Sequence, residues 1–444
     1  MLSLSGSIKE LRVIISLFLI YIAILSFSSN SFTVHGVKTG DVVLWSKTYS
    51  VGYATFVSQT KAGDFVVGSS NILVKLSETG ELIWGKQYNT LGGHQGPVLS
   101  SSGGGYLIAQ GAGLNDPARI LKLDKNGDIV WQHGYGAGFF QGVSLSIFSA
   151  VETPDKNFAI AGEIPGSGAF VMKIDRIGNV VWTNVYGYFG CGRFYSLVTS
   201  QDGEFVAAGI LCEHAWVVKL DASGAIVWQR QYQSGDVITQ DIQAVRVIAT
   251  SDSGFLVTGT ARRVSVQPWV LKIDGQGTIL WQKFYNGFQG GFGDAVETSD
   301  GGTVILGDAR IIKLDAAGNE EWHHGFGNNT FHGSLSTIID TRDGGFILGG
   351  TTGTLAEGLS SWILKLNSTG FCCDNMTGAG SVSGLNATTI GQESSATVST
   401  EAVNVTGSDN VAIDIAVPVS VQCPPVFQSP VRDGDDTAQS SNQT

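Results

Sequence analysis

The sequence predicts an all-β chain folded as a seven-bladed β-propeller, closed into a ring by a strand from its N-terminal region. Three observations carry this. The first is a strand–turn–strand unit, clearest in AWVVKLDASGAIVWQRQY (Ala215–Tyr232), that recurs along the 444 residues. Its lysine returns at Lys75, Lys122, Lys173, Lys219, Lys272, Lys313 and Lys365, and its turn glycine at Gly80, Gly127, Gly178, Gly224, Gly277, Gly318 and Gly370. The second is spacing. From Trp45 through Trp84, Trp131, Trp182, Trp228, Trp281 and Trp322 the intervals are 39, 47, 51, 46, 53 and 41 residues. Short strands with turn signals at a period of ~40–50 residues describe propeller blades. The third is displacement. Six of the tryptophans follow a turn glycine, whereas Trp45 stands alone near the N-terminus in VVLWSKTY.

The chain begins MLSLSGSIKELR, followed by an apolar run over Val13–Phe27 broken by Ser16 and Ser26. About fifteen apolar residues suit a secretory hydrophobic region better than a spanning helix, which needs roughly twenty. Residues 1–28 are read as a signal peptide or an uncleaved signal anchor, and 29–40 as a linker. The expected location is secreted or cell-surface, with membrane contact through the N-terminal segment alone if it is uncleaved. With 26 Lys+Arg against 38 Asp+Glu the formal charge is −12. Nucleic acid is a poor partner for such a chain, because it needs a basic footprint.

Each repeat between residues 41 and 370 has one grammar. In the fourth, SLVTS (Ser196–Ser200) is a short strand, QDGE a turn, FVAAGI (Phe205–Ile210) a second strand, and the Trp216–Tyr232 hairpin supplies the third and fourth. The hairpin turn has a mechanism: Asp221 bonds backbone groups ahead of it, and Gly224 takes the positive φ that ends the turn. The positions of Asp202-Gly203 are matched by Ala62-Gly63, Gly103-Gly104, Asp155-Lys156, Asp252-Ser253, Asp300-Gly301 and Asp343-Gly344. The seventh unit, Ser334 to Gly370, lacks a fourth strand, and VVLWSKTY is a fourth strand lacking the other three. Pairing them closes the ring and removes an open edge. The Trp45 strand is therefore expected beside Ser361–Leu366.

These units resemble a known repeat. DGGFILGG…SWILKL and WVVKLDASGAIVWQRQY look like the DGG(F/Y)–G–W–LKLD–G–W–YG repeats of uncharacterised secreted archaeal and bacterial β-propellers, over Val42–Gly370. The LDxxGxxxW part is similar to the repeats of the quinoprotein (PQQ-like) propeller superfamily. Some enzymes of that superfamily carry adjacent cysteines in a vicinal disulfide. Here Cys372-Cys373 lies beyond the last repeat, and the ring has seven blades where those dehydrogenases typically have eight, so no cofactor is expected.

After Gly370 the grammar stops. Residues 371–425 form a small Ser/Thr/Asn-rich extension whose alternation at Val411, Ile413, Ile415, Val417, Val419 and Val421 reads as one strand with a buried face. Residues 426–444 read as a disordered tail. Sequons for N-glycosylation fall at Asn328, Asn367, Asn375, Asn386, Asn404 and Asn442.

Topology sorts the loops. The Asp–Gly turns and the LKLDxxG turns share one face, and the long variable loops share the other. Function usually sits on variable loops held by a rigid scaffold. On that face the candidate ligand-binding residues are His94, Phe139, Phe140, Tyr188, Phe189, Arg193, Phe288, Phe292, Phe331 and His332, where glycines beside aromatics suit stacking on sugars or flat apolar groups. The seven repeated lysines read as structural, covering a neighbouring strand with their stems. No metal spacing, GxSxG elbow or other catalytic constellation occurs; the adjacent His323 and His324 point to opposite faces of a strand. Cys191 and Cys212 fall in two variable-face loops of the fourth blade and are expected to form a disulfide, while one of Cys372 and Cys373 pairs with Cys423. The function expected is a binding module for a glycan or protein ligand. The alternative is a propeller enzyme, quinone-dependent or carbohydrate-active, with its site at the channel mouth.

Overall fold

The computed structural model describes residues 38–39, 42–69, 71–88, 96–111, 117–137, 145–187, 190–234, 241–262, 266–285, 288, 291–307, 310–326, 334–354, 358–372, 384–386, 389–393, 397–400, 403–407, 412–414 and 419–421. Among them are strands and turns, and no helix is long and apolar enough to cross a membrane. Seven antiparallel sheets form the blades of a propeller. In the fourth blade the strands run Arg193–Thr199, Phe205–Leu211, His214–Leu220 and Ile226–Ser234, from the axis outward.

The ring closes as expected. Trp45–Tyr49 pairs antiparallel with the seventh blade's third strand, Gly358–Leu366, with Trp45 opposite Lys365 and Tyr49 opposite Ser361. Trp362 Nε1 donates to Ser46 Oγ (3.0 Å), and Ser361 Oγ donates to the Gly52 carbonyl (2.6 Å).

The hydrophobic core is divided among the blade junctions rather than gathered at a centre. One cluster lies between the third and fourth blades (Ala161, Val171, Leu197, Phe205 and Trp216), another between the fourth and fifth (Val206, Val217, Val257, Trp269). The closing junction has its own, from Trp45 and Phe65 to Ile347 and Ile363. Middle strands such as Gly168–Ile174 are buried along their whole length, because both faces are covered by neighbouring blades.

The repeated residues hold these junctions. At the hairpin turn, Asp221 Oδ1 accepts from the Ser223 and Ala225 backbone N–H groups (2.8 and 2.9 Å), and Gly224 has φ +83°. The tryptophan of each preceding blade lies against the next blade's turn glycine. A Cβ on Gly224 would meet the Trp182 ring at 2.8 Å, so glycine is required there by space as well as by φ. Trp131 Nε1 donates to the Arg176 carbonyl (2.8 Å), and Trp228 Nε1 to that of Gly275 (3.1 Å). Four residues beyond six of the seven repeat tryptophans stands a tyrosine that finishes the clasp. Tyr49, Tyr88, Tyr135, Tyr186, Tyr232 and Tyr285 each donate a hydroxyl to the carbonyl of the next blade's turn glycine, at 2.6–2.8 Å.

The repeated lysines do more than cover strands. Lys173, Lys219, Lys272, Lys313 and Lys365 place their ammonium groups 2.7–3.0 Å from Asp155, Asp202, Asp252, Asp300 and Asp343 in the first turn of the same blade. Burial pulls Asp155 and Asp252 upward, but hydrogen bonds from Lys173 and Thr153, and from Lys272 and Thr250, outweigh it and hold both carboxyls at about 2.

The extension differs from its sequence reading. Between 384 and 421 lie six short strands: Gly384–Asn386, Thr389–Glu393, Thr397–Thr400, Val403–Gly407, Ala412–Asp414 and Val419–Val421. They add a fifth, outermost strand to the fifth, fourth, third, second, first and seventh blades in that order. The alternating run 411–421 is therefore two strands on two blades, not one. Backbone pairing to successive blade edges, each only a few residues long, replaces the single buried face that the alternation suggested. The sixth blade is four-stranded among the described residues.

Candidate functional site

The inner strands of all seven blades surround an axial cavity of about 630 Å³. Each inner strand begins at the variable-loop face, and its first turns of chain set the cavity mouth. In four blades the strand carries a β-bulge there. Phe148, Tyr195, Val245 and Ser336 are the extra residues, lying between the pairs Ile147–Gly162 and Ser149–Ala161, Phe194–Gly209 and Ser196–Ala208, Ala244–Gly259 and Arg246–Thr258, and Leu335–Gly350 and Thr337–Gly349. A bulge re-aims the extra side chain, here into the cavity. The matching positions in the remaining blades are Thr55, Gly96 and Gly293, which also line it. One position of the repeat thus supplies Thr, Gly, Phe, Tyr, Val, Gly and Ser around the axis, while the clasp residues stay nearly constant.

Neighbouring blades make this ring chemically uneven. Phe148 is 38% exposed, and its ring lies 5.3 Å from that of Tyr195, forming an aromatic wall on one side. Arg193 stands two residues before Tyr195, with its Nε 2.8 Å from Glu163 Oε2. The Tyr195 hydroxyl first, then the Glu163 carboxylate, raise the Arg193 guanidinium above its ordinary value, which keeps it cationic. Across the cavity Arg246 Nε lies 2.8 Å from Asp294 Oδ1. Asp294 Oδ2 also accepts from the Ile338 backbone N–H (3.0 Å), tying the sixth blade to the seventh. Ser58 and Ser100 share a hydrogen bond of 2.5 Å deeper in. Among the described residues, no group of three His, Cys, Asp or Glu side chains is placed to hold a metal ion.

Of the residues singled out from sequence, Arg193 is exposed at the start of the fourth blade's inner strand, two residues before the cavity-lining Tyr195. Phe288 and Phe292 are 8% and 1% exposed; they pack on Tyr285 and each other between the fifth and sixth blades. They are core residues, not stacking surfaces, because their rings are buried in the junction cluster with Tyr285, Ala295 and Ile305. His94, Phe139, Phe140, Tyr188, Phe189, Phe331 and His332 lie outside the described residues, as do Cys373, Cys423, Asn328, Asn375 and Asn442. Asn367 takes the place of the turn aspartate: its Oδ1 accepts from the Thr369 and Phe371 N–H groups (3.0 and 2.9 Å). Asn386 and Asn404 fall on outermost strands, opposite Lys283 and Gly136. Phe148 and Tyr195 were missed. The signal that finds them is alignment of the repeats on the first-turn aspartate, seven residues after each.

The disulfide between Cys191 and Cys212 is present, with Cα atoms 5.0 Å apart. It ties the loop entering the fourth blade to that blade's second hairpin, just above Arg193 and Tyr195. Closing a loop of 21 residues is worth roughly 3 kcal/mol in the chain-entropy account. Cys372 is buried among the sixth- and seventh-blade residues Phe326, Leu335 and Trp362.

No protein-family model matches the chain, and neither does any curated protein. Among solved structures it is similar to the WD40 domain of Neurospora crassa Pan2, at 11% identity and a TM-score of 0.47, over 70% of this chain and 89% of that one. It is also similar to a protein of unknown function from Bacteroides caccae, at 12% identity and a TM-score of 0.39, over 60% of this chain and 90% of that one.

Proposed function

We propose that this seven-bladed β-propeller is an exported binding module, secreted or held at the cell surface, that takes a glycan or protein ligand over the axial mouth on the variable-loop face. The observation that carries this reading is the ring of bulge positions. Its members vary in size and polarity while the scaffold residues repeat, which is how a rigid frame presents a recognition surface. Phe148 and Tyr195 offer flat apolar area, and Arg193 offers a fixed cation beside them. The one carboxylate among the described lining residues, Asp294, is neutralised by Arg246, so the lining favours holding a ligand over acid–base work on it. The Cys191–Cys212 bond supports an oxidising location.

The test is a glycan array and a surface-protein library probed with the full chain and with Tyr195→Ala and Phe148→Ala. Binding is expected to fall at least tenfold in each variant at an unchanged melting temperature. Ligands retained in full by both variants would move the site away from the axial mouth.

A further inference from the structure

The opposite face, built of the short turns, holds a second cavity, of about 500 Å³, between the second and third blades. It lies where the repeat departs from its own rule. The first turn of the second blade has Gly103 where five other blades have aspartate, and Gly105 where the first blade supplies Asp64 to Lys75. Lys122 is therefore the one repeat lysine whose ammonium bonds only backbone among the described residues, at the Leu123 carbonyl (2.9 Å) and, more distantly, that of Gly104 (3.4 Å). Burial lowers its pKa, outweighing the carboxylates of Glu152 and Asp124.

The space vacated by the missing side chain is lined by cations. Lys61, Lys156 and Arg176 join Lys122 there. Lys156 is brought in by a left-handed backbone (φ 64°) at a position that is usually glycine. Arg176 sits on a turn anchored by the Trp131 indole (2.8 Å). The side chains of Lys61, Lys156 and Arg176 have no carboxylate partner among the described residues. The cavity's carboxylate, Glu152, is already engaged: it accepts from the Ser102 N–H (2.6 Å) and from the Ser102 and Ser101 hydroxyls (3.0 and 3.2 Å). Four cations thus face one occupied carboxylate in a chain whose formal charge is −12.

We propose that this cavity binds a tetrahedral oxyanion, a phosphate or sulfate group, with Lys122 at the floor and Lys61, Lys156 and Arg176 around it. The anion takes the place of the aspartate that the other blades carry. Charge-assisted bonds from ammonium and guanidinium groups to such oxygens are the stronger class of hydrogen bond, and Arg176 adds a planar fork. The site is on the face away from the axial mouth, so it does not depend on the ligand proposed there.

The repeat supplies its own control. In Gly103→Asp the missing carboxylate is restored beside Lys122. A Cβ at Gly103 meets nothing within 4 Å, and the same residue occupies this turn in five sister blades, so the variant is expected to fold with a melting temperature held or raised. Calorimetric titration of the full chain with inorganic phosphate, and separately with N-acetylglucosamine 6-sulfate, is expected to show saturable binding that weakens with added salt. A preference for either probe tells a free anion from an ester group, and both support the site. Gly103→Asp is expected to weaken binding at least tenfold, and Arg176→Ala several-fold. Equal affinity in Gly103→Asp and the parent chain, or titrations that never saturate, overturns the proposal.

Discussion

At the scale of single residues, the junction between the sixth and seventh blades is the informative exception. Phe326 stands where the other blades have the clasping tyrosine, so this position offers no hydroxyl to the Gly370 carbonyl. His324 fills the role instead. Its ring stacks on Trp322 (4.9 Å) and meets Phe371 (4.2 Å), and its Nε2 lies 2.9 Å from the Thr369 carbonyl. Burial lowers the pKa of this histidine; the Thr369 carbonyl opposes that, and His323 adds to it. The sign follows. The folded state holds the proton less well than the unfolded chain, whose value is near 6.5, so protons favour unfolding once the pH falls below that value. Stability present above pH 6.5 should therefore decline toward about pH 5, before the carboxylates titrate. In His324→Gln that decline should disappear in urea unfolding measured across the same range; a slope identical to that of the parent chain would place the titrating group elsewhere.

At the scale of elements, the six strands of the extension cover blade edges that would otherwise expose rows of unpaired backbone groups. Exposed edges template pairing between chains. A chain ending at Cys372 should keep its ring, since Trp45–Tyr49 and Gly358–Leu366 are retained. It should, however, exchange the outer-strand amides of Ile226–Ser234 and Val180–Gly187 far faster and associate at concentrations where the full chain stays monomeric. Hydrogen exchange with mass spectrometry and light scattering check both; unchanged exchange in those strands would mean that the edge pairing is not formed in solution. This layer was the least legible part of the sequence. The blades were legible because each carries its turn chemistry locally: Asp221 and Gly224 announce a hairpin without help from distant residues. Segments such as TIGQE and TVST carry no turn signal of that kind, and their partners lie far away in the chain. Phe288 and Phe292 show the same limit at the candidate site. A glycine-rich loop with two aromatics reads alike whether it faces water or the junction, and only tertiary packing decides. Tyr195 and Phe148, by contrast, were readable from the repeat alignment once the bulge gave their position a meaning.

At the scale of the whole molecule, stability is distributed over blade junctions, and the seventh-to-first junction is the one that no continuous stretch of chain supplies. Trp45 is 3% exposed and packs edge-on to Phe65 (6.1 Å). Its indole donates to the Glu78 carbonyl (2.9 Å). Truncating a buried aromatic of this kind typically costs ~3–5 kcal/mol. Trp45→Ala should lower the melting temperature of the entire ring, and deletion of residues 41–50 should lower it further; a melting curve unaltered by the deletion would rule out closure by this strand. The same seam sets a schedule for biosynthesis. Trp45–Tyr49 leaves the ribosome early, but its partner strand begins at Gly358, about 300 residues later. At ~5–20 residues per second the wait is roughly 15–60 s. For that time a short strand with apolar character has no sheet to join, while each completed blade adds another edge to which it could pair out of place. Translation speed therefore sets how long Trp45–Tyr49 waits before the strand that closes the ring exists.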